Sequence, residues 1–393
     1  MSRNVPKLRF KGFEDEWKEK KLINFLSESR IPGSNGSKAK KLTVKLWAKG
    51  VVPKKEIYEG SDNTKYYTRK AGQLIYGKLD FLNCAFGIVP DHLDGYESTV
   101  DAPAFDIKNI NPYFLFSKII QKNFYKRNGD IADGSRKAKR IHSDVFLNMS
   151  IKVPSLQEQE KIANFLSKVD SIIEKQEKKV EYWNSYKKGM MQKIFSQKIR
   201  FKDENGMDYP EWKINKIENI ATIEMGFTPS TKNDEAWNGN IEWLSIAGMN
   251  SKYIYSGNKK ISSEILGKRK LVPIDTLIMS FKLTIGRLAI VKKEIVTNEA
   301  ICQFYWKSKD ISNEYMYAYL SVINIESFGC RAAKGITLNT ESLNSIVVKL
   351  PCLEEQTKIA NFLSNIDNII EKESKKLEEL KQWKKGLLQQ MFV

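Results

Sequence analysis

Apolar residues recur at alternating intervals of three and four positions along two stretches of the chain, residues 154–197 and 351–393. This heptad pattern is typical of helices that pair side by side. The apolar seam comprises Ile162, Leu166, Val169, Ile173 and Val180 in the first stretch and Ile359, Leu363, Ile366, Ile370 and Leu377 in the second. We therefore predict two long helices, each roughly 60 Å long at about 1.5 Å per residue.

Polar residues interrupt both seams at matching places, Gln176 and Lys187 in the first stretch and Glu373 and Lys384 in the second. Such residues can fix the register of a helix pair at some cost in stability. Two matching helices in one chain favour antiparallel pairing within that chain, because each is at a high effective concentration for the other. The alternative is a coiled coil between two copies of the chain.

The starts of the two predicted helices differ in their capping residues. Ser155 and Glu158 have the spacing of a capping box, in which each side chain accepts a hydrogen bond from the backbone N–H of the other residue. Cys352 replaces the serine in the second stretch. We therefore expect the second start to be less well capped.

The two stretches are copies of one another. They align without a gap at a constant offset of 197 residues, so that Glu158 corresponds to Glu355 and Asp170 to Asp367. An Arg-Phe-Lys segment followed by Glu-Trp-Lys precedes each globular region. The chain is therefore an internal duplication with a predicted pseudo-two-fold repeat. The predicted segments are a lead-in (1–18), a globular region (19–153), a helix (154–197), a second lead-in (198–213), a second globular region (214–350) and a second helix (351–393).

Short β-rich runs separated by turn residues fill both globular regions. One such run is Leu42–Trp47, and each region closes with a β run before a proline, Pro154 or Pro351. A short helix is predicted from Asn111 in the first region and from Asn313 in the second, which align in this interpretation. The predicted fold class is therefore α+β, with mixed helices and strands in two globular domains that are separated by two long antiparallel helices.

Charge is distributed unevenly along the chain. The net charge is +18, of which residues 1–153 carry +12 and residues 198–350 carry +4. The basic excess thus lies mainly in the globular regions, which favours a polyanionic partner such as nucleic acid. The alternative is a basic surface that is simply solvated.

No sequence motif for catalysis stands out. The chain has no glycine-rich cofactor loop, P-loop or HExxH motif. Asn111-Pro-Tyr-Phe is similar to the (N/D)PP(Y/F) motif of amino-methyltransferases, but Tyr113 replaces the second proline and the other half lacks the motif. We interpret Asn111 as a helix start and expect no catalytic residue in this chain.

Cysteines and apolar runs restrict the class of protein further. The four cysteines lack metal-binding spacing, and with two histidines no metal site is expected. We expect the cysteines to be reduced and structural. No apolar run has the ~18 residues of a membrane span, and no signal peptide opens the chain, so we expect a cytoplasmic protein without a membrane partner.

The repeated KIANFL segment with its following D-x-II-E pattern, and the closing KKG, resemble the conserved regions of specificity subunits of type I restriction–modification systems. Gly226-Phe-Thr-Pro-Ser, Trp237-Asn-Gly and the segment 335–339 are similar to landmarks of that family's target recognition domains. The resemblance covers essentially the whole chain. The first globular region departs from it, since it has no equivalent of Gly-x-Thr-Pro-Ser.

The resemblance implies that the chain is a non-catalytic DNA-recognition subunit. Each target recognition domain would recognise one half of a bipartite double-stranded DNA sequence, and the helices would set the spacer and bind two modification (methyltransferase) subunits. Those subunits would use S-adenosylmethionine to methylate adenine at N6. Restriction (translocase and endonuclease) subunits would use ATP and Mg²⁺, so this chain itself is expected to bind no cofactor.

Candidate DNA contacts are basic or hydroxyl side chains in predicted turns. The turn at residues 133–140 has four cations beside a glycine, which suits phosphate contact, and arginine can also bind guanine. The candidates are Lys78, Arg136, Lys137, Lys139, Arg140, Thr228, Ser230, Lys282, Arg287, Arg331 and Lys334. For each of them a solvated surface role is the alternative.

Two other functions compete with DNA recognition. One is a structural coiled-coil protein whose basic domains bind anionic partners; divergent globular regions on near-identical helices argue against it. The other is a self-sufficient methyltransferase, which the missing cofactor motif disfavours. Neither the DNA target sequence nor the spacer length follows from the sequence.

Overall fold

The computed structural model describes residues 4–55, 61–129, 140–332 and 335–393; the side chains of 330–332 and 335–337 are outside the description. The chain forms two compact units. One consists of Met1–Glu177 with Lys375–Val393, and the other of Lys178–Ser374. Each unit therefore combines one globular region with a segment of each long helix.

Strands and short helices precede the first long helix. The strands are β1 (Lys18–Lys21), β2 (Leu26–Ser29), β3 (Pro32–Asn35), β4 (Leu42–Val44), β5 (Val51–Pro53), β6 (Lys65–Thr68), β7 (Leu74–Tyr76), β8 (Phe86–Ile88), β9 (Glu97–Ser98), β10 (Ala104–Ile107) and β11 (Ser150–Val153). The helices are α1 (Pro112–Ile119), α2 (Lys122–Gly129), α3 (Ser143–Asn148) and the long helix α4 (Leu156–Phe195).

The second half of the chain repeats this plan. Its strands are β12 (Lys213–Lys216), β13 (Ala221–Met225), β14 (Ile241–Leu244), β15 (Tyr253–Ile254), β16 (Lys259–Ile261), β17 (Leu277–Ser280), β18 (Leu288–Val291), β19 (Val296–Thr297), β20 (Ile301–Trp306), β21 (Cys330–Ala332), β22 (Gly335–Thr337) and β23 (Val347–Leu350). Its helices are α5 (Ile217–Ile220), α6 (Ser263–Leu266), α7 (Asn313–Leu320), α8 (Thr340–Asn344) and the long helix α9 (Leu353–Met391).

Four antiparallel strands form the same central arrangement in each globular region. Their order is β2-β10-β7-β8 in the first region and β13-β20-β17-β18 in the second, where β15 adds a parallel strand beside β18. The smaller sheets differ: β3-β6-β9 and β4-β5 in the first region, and β16-β14-β19 and β21-β22 in the second. Both regions thus share a central framework although few of their residues match.

Aromatic and aliphatic side chains fill the core of each region. In the first, the Tyr76 and Phe146 rings lie 4.6 Å apart and Phe105 lies 5.4 Å from Phe146. In the second, Phe304 and Tyr315 are both buried. A mixed helix and sheet protein is therefore observed, as the β-rich runs and short helices predicted.

The predicted seam is buried mainly near the start of each long helix. Ile162, Leu166, Val169 and Ile173 are buried in the core of the first unit, and Ile359, Leu363 and Ile366 in the core of the second; Val180, Ile370 and Leu377 are half-buried. These core clusters also contain residues of the globular regions. The heptad residues therefore pack against a globular region as well as along the helices.

Ion pairs join segments of the two long helices within each unit. They connect Asp170 to Lys384 (2.5 Å) and Glu177 to Lys381 (2.7 Å) in the first unit, and Lys187 to Asp367 (2.5 Å) and Lys179 to Glu373 (2.7 Å) in the second. As residue numbers rise along α4, those of the partners fall along α9. The paired segments within each unit therefore run in opposite directions.

A buried glutamate in the first turn of each long helix binds the preceding lead-in segment. In both units its carboxylate accepts two hydrogen bonds from an arginine guanidinium and one from a tryptophan indole N–H, at 2.8–3.3 Å. The trios are Arg9, Trp17 and Glu158 in the first unit and Arg200, Trp212 and Glu355 in the second. These trios hold the lead-in segments against the helix starts.

The capping box predicted at the first helix start is only half formed. The Glu158 N–H donates to Ser155 Oγ at 3.3 Å, as expected. The Glu158 carboxylate, however, is bound by Arg9 and Trp17 instead of returning to the Ser155 backbone. A charged guanidinium is the stronger hydrogen-bond partner for a carboxylate, which explains the difference.

The short helices α1 and α7 correspond to each other, but the predicted alignment of their starts is wrong by one residue. Asn111 caps α1, which confirms the predicted helix start, and its N–H donates to Gln159 Oε1 at 3.0 Å. Ser312 caps α7, and its N–H donates to Gln356 Oε1 at 2.9 Å. Ser312, and not Asn313, is therefore the structural counterpart of Asn111. The alignment from sequence paired Asn111 with Asn313 because both are asparagine.

Candidate nucleic-acid interface

The loop between the two central strands β7 and β8, or β17 and β18, carries candidate cations in both regions. Lys78 is half-buried in the first loop, whereas Lys282 and Arg287 are exposed in the second. The Lys282 ammonium group lies 5.1 Å from the centre of the Phe281 ring, and Arg287 Nη1 donates to the Ile246 carbonyl at 3.0 Å. Exposed cations in these loops suit contact with phosphate groups.

A second loop lies against this central loop in each region. In the first, the β4–β5 loop donates the backbone N–H groups of Trp47 and Ala48 to the carbonyls of Asn83 and Cys84, each at 2.8 Å. In the second, the β14–β15 loop accepts the hydrogen bond from Arg287. In each region, therefore, a second loop contacts the loop between the two central strands, although the β4–β5 and β14–β15 loops connect differently paired strands.

The Gly-x-Thr-Pro-Ser loop packs closely on its own domain. A Cβ atom at Gly226 would lie 1.8 Å from the Thr297 carbonyl oxygen, so only glycine fits there. The next residue, Phe227, donates its N–H to Thr297 at 2.8 Å and accepts from Trp243 Nε1 at 2.9 Å. The Arg269 guanidinium lies 4.2 Å from the Phe227 ring centre. The glycine of this landmark thus has a packing role.

Two hydroxyl candidates lie in the same loop. Thr228 Oγ1 accepts from Asn298 Nδ2 at 2.7 Å and donates to the Glu299 carboxylate. The Ser230 carbonyl accepts from Trp237 Nε1 at 3.1 Å, while its side chain is exposed. The Thr228 hydroxyl is therefore already bound within the chain, and Ser230 is the more accessible of the two.

The predicted basic turns lie largely outside the described residues. Arg136, Lys137, Lys139 and Lys334 are not described, and neither is the side chain of Arg331 in β21. Arg140 is described, and its Nε lies 3.3 Å from Asp101 Oδ1, with both side chains about two-fifths or more exposed. An exposed pair of this kind contributes little to stability, so Arg140 can exchange this partner for a phosphate.

Three cysteines in the described parts are free thiols, of which Cys84 and Cys302 are buried and Cys352 is half-buried. Burial raises the pKa of Cys84 to about 11 and that of Cys302 to about 12, and it also raises the pKa of Cys352. Such thiols stay protonated at neutral pH and react slowly. Within residues 4–55, 61–129, 140–332 and 335–393, no cluster of His, Cys, Asp and Glu is arranged to hold a metal ion.

One family matches most of the chain. The family model described as "Type I restriction modification DNA specificity domain" matches residues 102–182 and 209–382. The chain belongs to this family. The first matched segment covers the end of one globular region and the second covers the whole of the other, and each continues through most of the long helix that follows.

Relatives from Methanocaldococcus jannaschii carry the same description. The chain is 26% identical to the type I restriction enzyme MjaVIII specificity subunit over 63% of its own length and 62% of that protein. It is 29% identical to the putative type I restriction enzyme MjaX specificity subunit over 71% of its length and 67% of that protein. The alignment thus spans about three fifths of the first relative.

Solved structures of type I systems share the fold at low identity. A chain from a study of complex assembly and conformational transition of the type I R-M system superposes with a TM-score of 0.59 at 16% identity, covering 96% of this chain and 97% of that one. The type I S subunit from M. genitalium gives 0.55 at 12% identity, with 99% of both chains covered. These neighbours support the fold of the specificity family.

The structure of this specificity-family chain reveals two exposed loop residues that the sequence interpretation missed. Trp47 and Leu283 lie in the paired loops described above, and 54% and 94% of their surfaces are exposed. A sequence signal for both exists: a large apolar residue within a turn, next to or between cations. Trp47 was instead assigned to a β run, but β4 ends at Val44.

None of the helices in the described parts of the chain combines the length and apolar character that a membrane span requires.

Proposed function

We propose that this chain is the DNA sequence-specificity subunit of a type I restriction–modification complex. Each globular region recognises one half of a bipartite double-stranded DNA target. The observation that carries the proposal is the repeated central sheet, β2-β10-β7-β8 and β13-β20-β17-β18, with different loops on each copy. A shared framework with divergent loops suits recognition of two different sequences, because loops on a rigid scaffold commonly carry binding residues.

The two long helices set the length of the spacer between the half-sites by pairing as an antiparallel coiled coil. The pairs Asp170–Lys384 and Asp367–Lys187 support this. Both aspartates, and both lysines, are separated by the 197-residue offset of the duplication. Equivalent residues therefore make equivalent contacts, as expected for a pseudo-two-fold pair of helices.

The same helices bind two modification subunits. Exposed aromatic residues on them support this role: 59% of Tyr182, 36% of Tyr186 and 46% of Trp383 is exposed. Tyr186 and Trp383 occupy equivalent positions of the repeat. Aromatic side chains are enriched in protein–protein interfaces, so one equivalent site on each helix fits two copies of one partner.

Methyl transfer and cleavage belong to the partner subunits in this proposal. The modification subunits supply S-adenosylmethionine chemistry at adenine N6, and restriction subunits supply ATP- and Mg²⁺-dependent translocation and cleavage. The resemblance to type I specificity subunits implies this division, and the lack of a recognisable cofactor-binding motif in the sequence supports it. The chain contributes recognition and positioning.

Reconstitution tests the proposal. The chain is expressed with its modification subunit in a host that lacks adenine methylation, and the methylated adenines are mapped by single-molecule sequencing. We expect one bipartite motif with a constant spacer, only when both proteins are present.

Two results would contradict the proposed function. Methylation by the purified chain alone would identify a self-sufficient methyltransferase. A chain that assembles but confers no sequence preference would favour a structural coiled-coil protein with basic domains. The modification subunit expressed alone is the control for methylation that does not depend on this chain.

A further inference from the structure

Leu283 and Trp47 combine two unfavourable features. Both are large apolar side chains exposed to solvent, 94% and 54% respectively. Both also have a positive backbone φ, 64° and 59°. A bulky residue other than glycine is strained in this left-handed conformation. Strained residues of this kind persist where the surrounding structure fixes them, and they cluster at functional sites.

Hydrogen bonds hold the Leu283 loop in place. The Gly286 N–H donates to the Ser280 carbonyl at 2.8 Å, and the Arg287 N–H donates to Ser280 Oγ at 3.1 Å. The Arg287 guanidinium also donates to Ile246 in the neighbouring loop. These hydrogen bonds already fix the loop that carries Leu283. Binding through Leu283 would therefore cost little conformational entropy.

The Trp47 loop is held in an equivalent way. The N–H groups of Trp47 and Ala48 donate to Asn83 and Cys84 of the central loop, and the Lys45 N–H donates to Gly50 at 2.9 Å across the base of its own hairpin. In each region, the exposed apolar residue thus lies in one of two loops that contact each other. Leu283 lies in the β17–β18 loop itself, whereas Trp47 lies in the β4–β5 loop, which contacts the β7–β8 loop.

Cations flank both apolar residues. Lys45 and Lys49 lie on either side of Trp47, and Lys282 and Arg287 belong to the Leu283 loop; all four are exposed. Lysine is depleted in protein–protein interfaces, whereas lysine and arginine beside an apolar or aromatic residue are typical of nucleic-acid binding. The cations can bind phosphates while the apolar side chain reaches the bases.

We propose that Trp47 and Leu283 contact bases of the DNA, each in the half-site that its own globular region recognises. This inference rests on the proposed function and adds the residues that contribute specificity. An apolar side chain can contact a thymine methyl group in the major groove or insert between two base pairs. Either contact depends on the base sequence, in contrast to a phosphate contact.

Substitution by alanine tests this proposal in the complex assembled with the modification subunit. Trp47→Ala and Leu283→Ala are compared with Ile23→Ala and Ile214→Ala, which remove exposed apolar side chains (56% and 69%) outside the paired loops. Binding is measured on duplexes with both half-sites intact and with either half-site scrambled. The target motif is taken from the methylation map of the wild-type complex.

We expect each test variant to bind the intact duplex about five- to 150-fold more weakly, the range that corresponds to ~1–3 kcal/mol for losing one base-specific contact. The ratio of affinities for the intact and the scrambled duplex should fall for one half-site only. Trp47→Ala and Leu283→Ala should affect different half-sites. The slope of affinity against salt concentration should stay unchanged, because no phosphate contact is removed. The two isoleucine variants should behave as wild type.

Three results would overturn the inference while the wild-type complex still recognises a bipartite site. These are unchanged affinity and discrimination, an equal loss on all DNA sequences, and a loss of binding to the modification subunit, which would make the loops a protein interface. Thermal unfolding of each variant shows whether a loss of DNA binding is caused by misfolding. If an alanine variant is misfolded, the binding measurements are repeated with Trp47→Phe or Leu283→Met. A wild-type complex without any bipartite preference would instead refute the proposed function itself.

Discussion

At the scale of single residues, the buried glutamates in the first turn of each long helix show how the lead-in segments are fixed. Glu355 is fully buried, and its carboxylate is satisfied by Arg200 and Trp212. The hydrogen bonds to Glu355 raise the pKa of Arg200, so the guanidinium stays charged. Neutralising Glu355 removes the charged acceptor of Arg200, whose side chain is 21% exposed and also donates to the Tyr209 and Pro210 carbonyls.

Glu355→Gln should therefore destabilise the protein by roughly 1.5–3 kcal/mol, because the amide loses the charge-assisted hydrogen bonds and places an N–H donor beside the donors of Arg200 and Trp212. Glu354→Gln is the matched control: it removes the same charge from the same helical turn at an exposed position, so a change within about 0.5 kcal/mol is expected. Both values come from urea unfolding followed by circular dichroism. Equal stability of the two variants would show that the Arg200–Glu355 pair does not fix the lead-in segment.

The sequence shows that the residues of these trios are repeated in both halves, but it does not show that they contact one another. Arg9 and Glu158 are 149 positions apart, so no local pattern connects them. The exposed residues Trp47 and Leu283 were missed for a related reason. Their exposure and positive φ arise from how two loops meet, and hydrophobicity alone predicts burial for both.

At the scale of elements, the two long helices were the most predictable part of the fold. Their repeated apolar spacing placed the starts at residues 154 and 351, two residues before Leu156 and Leu353. Strands were less well located: the predicted run Leu42–Trp47 ends as a strand at Val44. A short β run has few residues over which a period can be recognised, whereas a helix of several heptads has many.

The ion pairs between helix segments can be tested by charge reversal in the second unit. Lys187→Asp and Asp367→Lys should each lower the free energy of unfolding, because each places like charges together. The double variant should recover most of the loss, with a coupling of about 0.5–1 kcal/mol for this partly exposed pair. The unfolding midpoint should be the same at low and high protein concentration if the pair forms within one chain.

Additive effects of the two reversals would contradict the observed contact. A midpoint that rises with protein concentration would instead favour the coiled coil between two copies of the chain. Glu371→Lys, an exposed reversal on α9, is the control for a change of net charge alone.

At the scale of the whole molecule, the duplication supplies two globular regions with separate cores. Each described core cluster lies within one unit: one cluster contains Tyr76 and Phe105, and another contains Phe304 and Tyr315. We therefore expect a change inside one region to leave the core of the other unaltered. The repeat and the family follow from the sequence, but the bases that each region recognises depend on loop geometry and on DNA contacts.

Exchange of one globular region tests this account most directly. Residues 214–350 are replaced by the matching region of a relative with a different target, and the methylated motif is mapped in the host that carries the modification subunit. The account predicts that one half-site changes while the other half-site and the spacer persist, since residues 19–153 and both long helices are untouched. A methylated motif in which both half-sites have changed would contradict it.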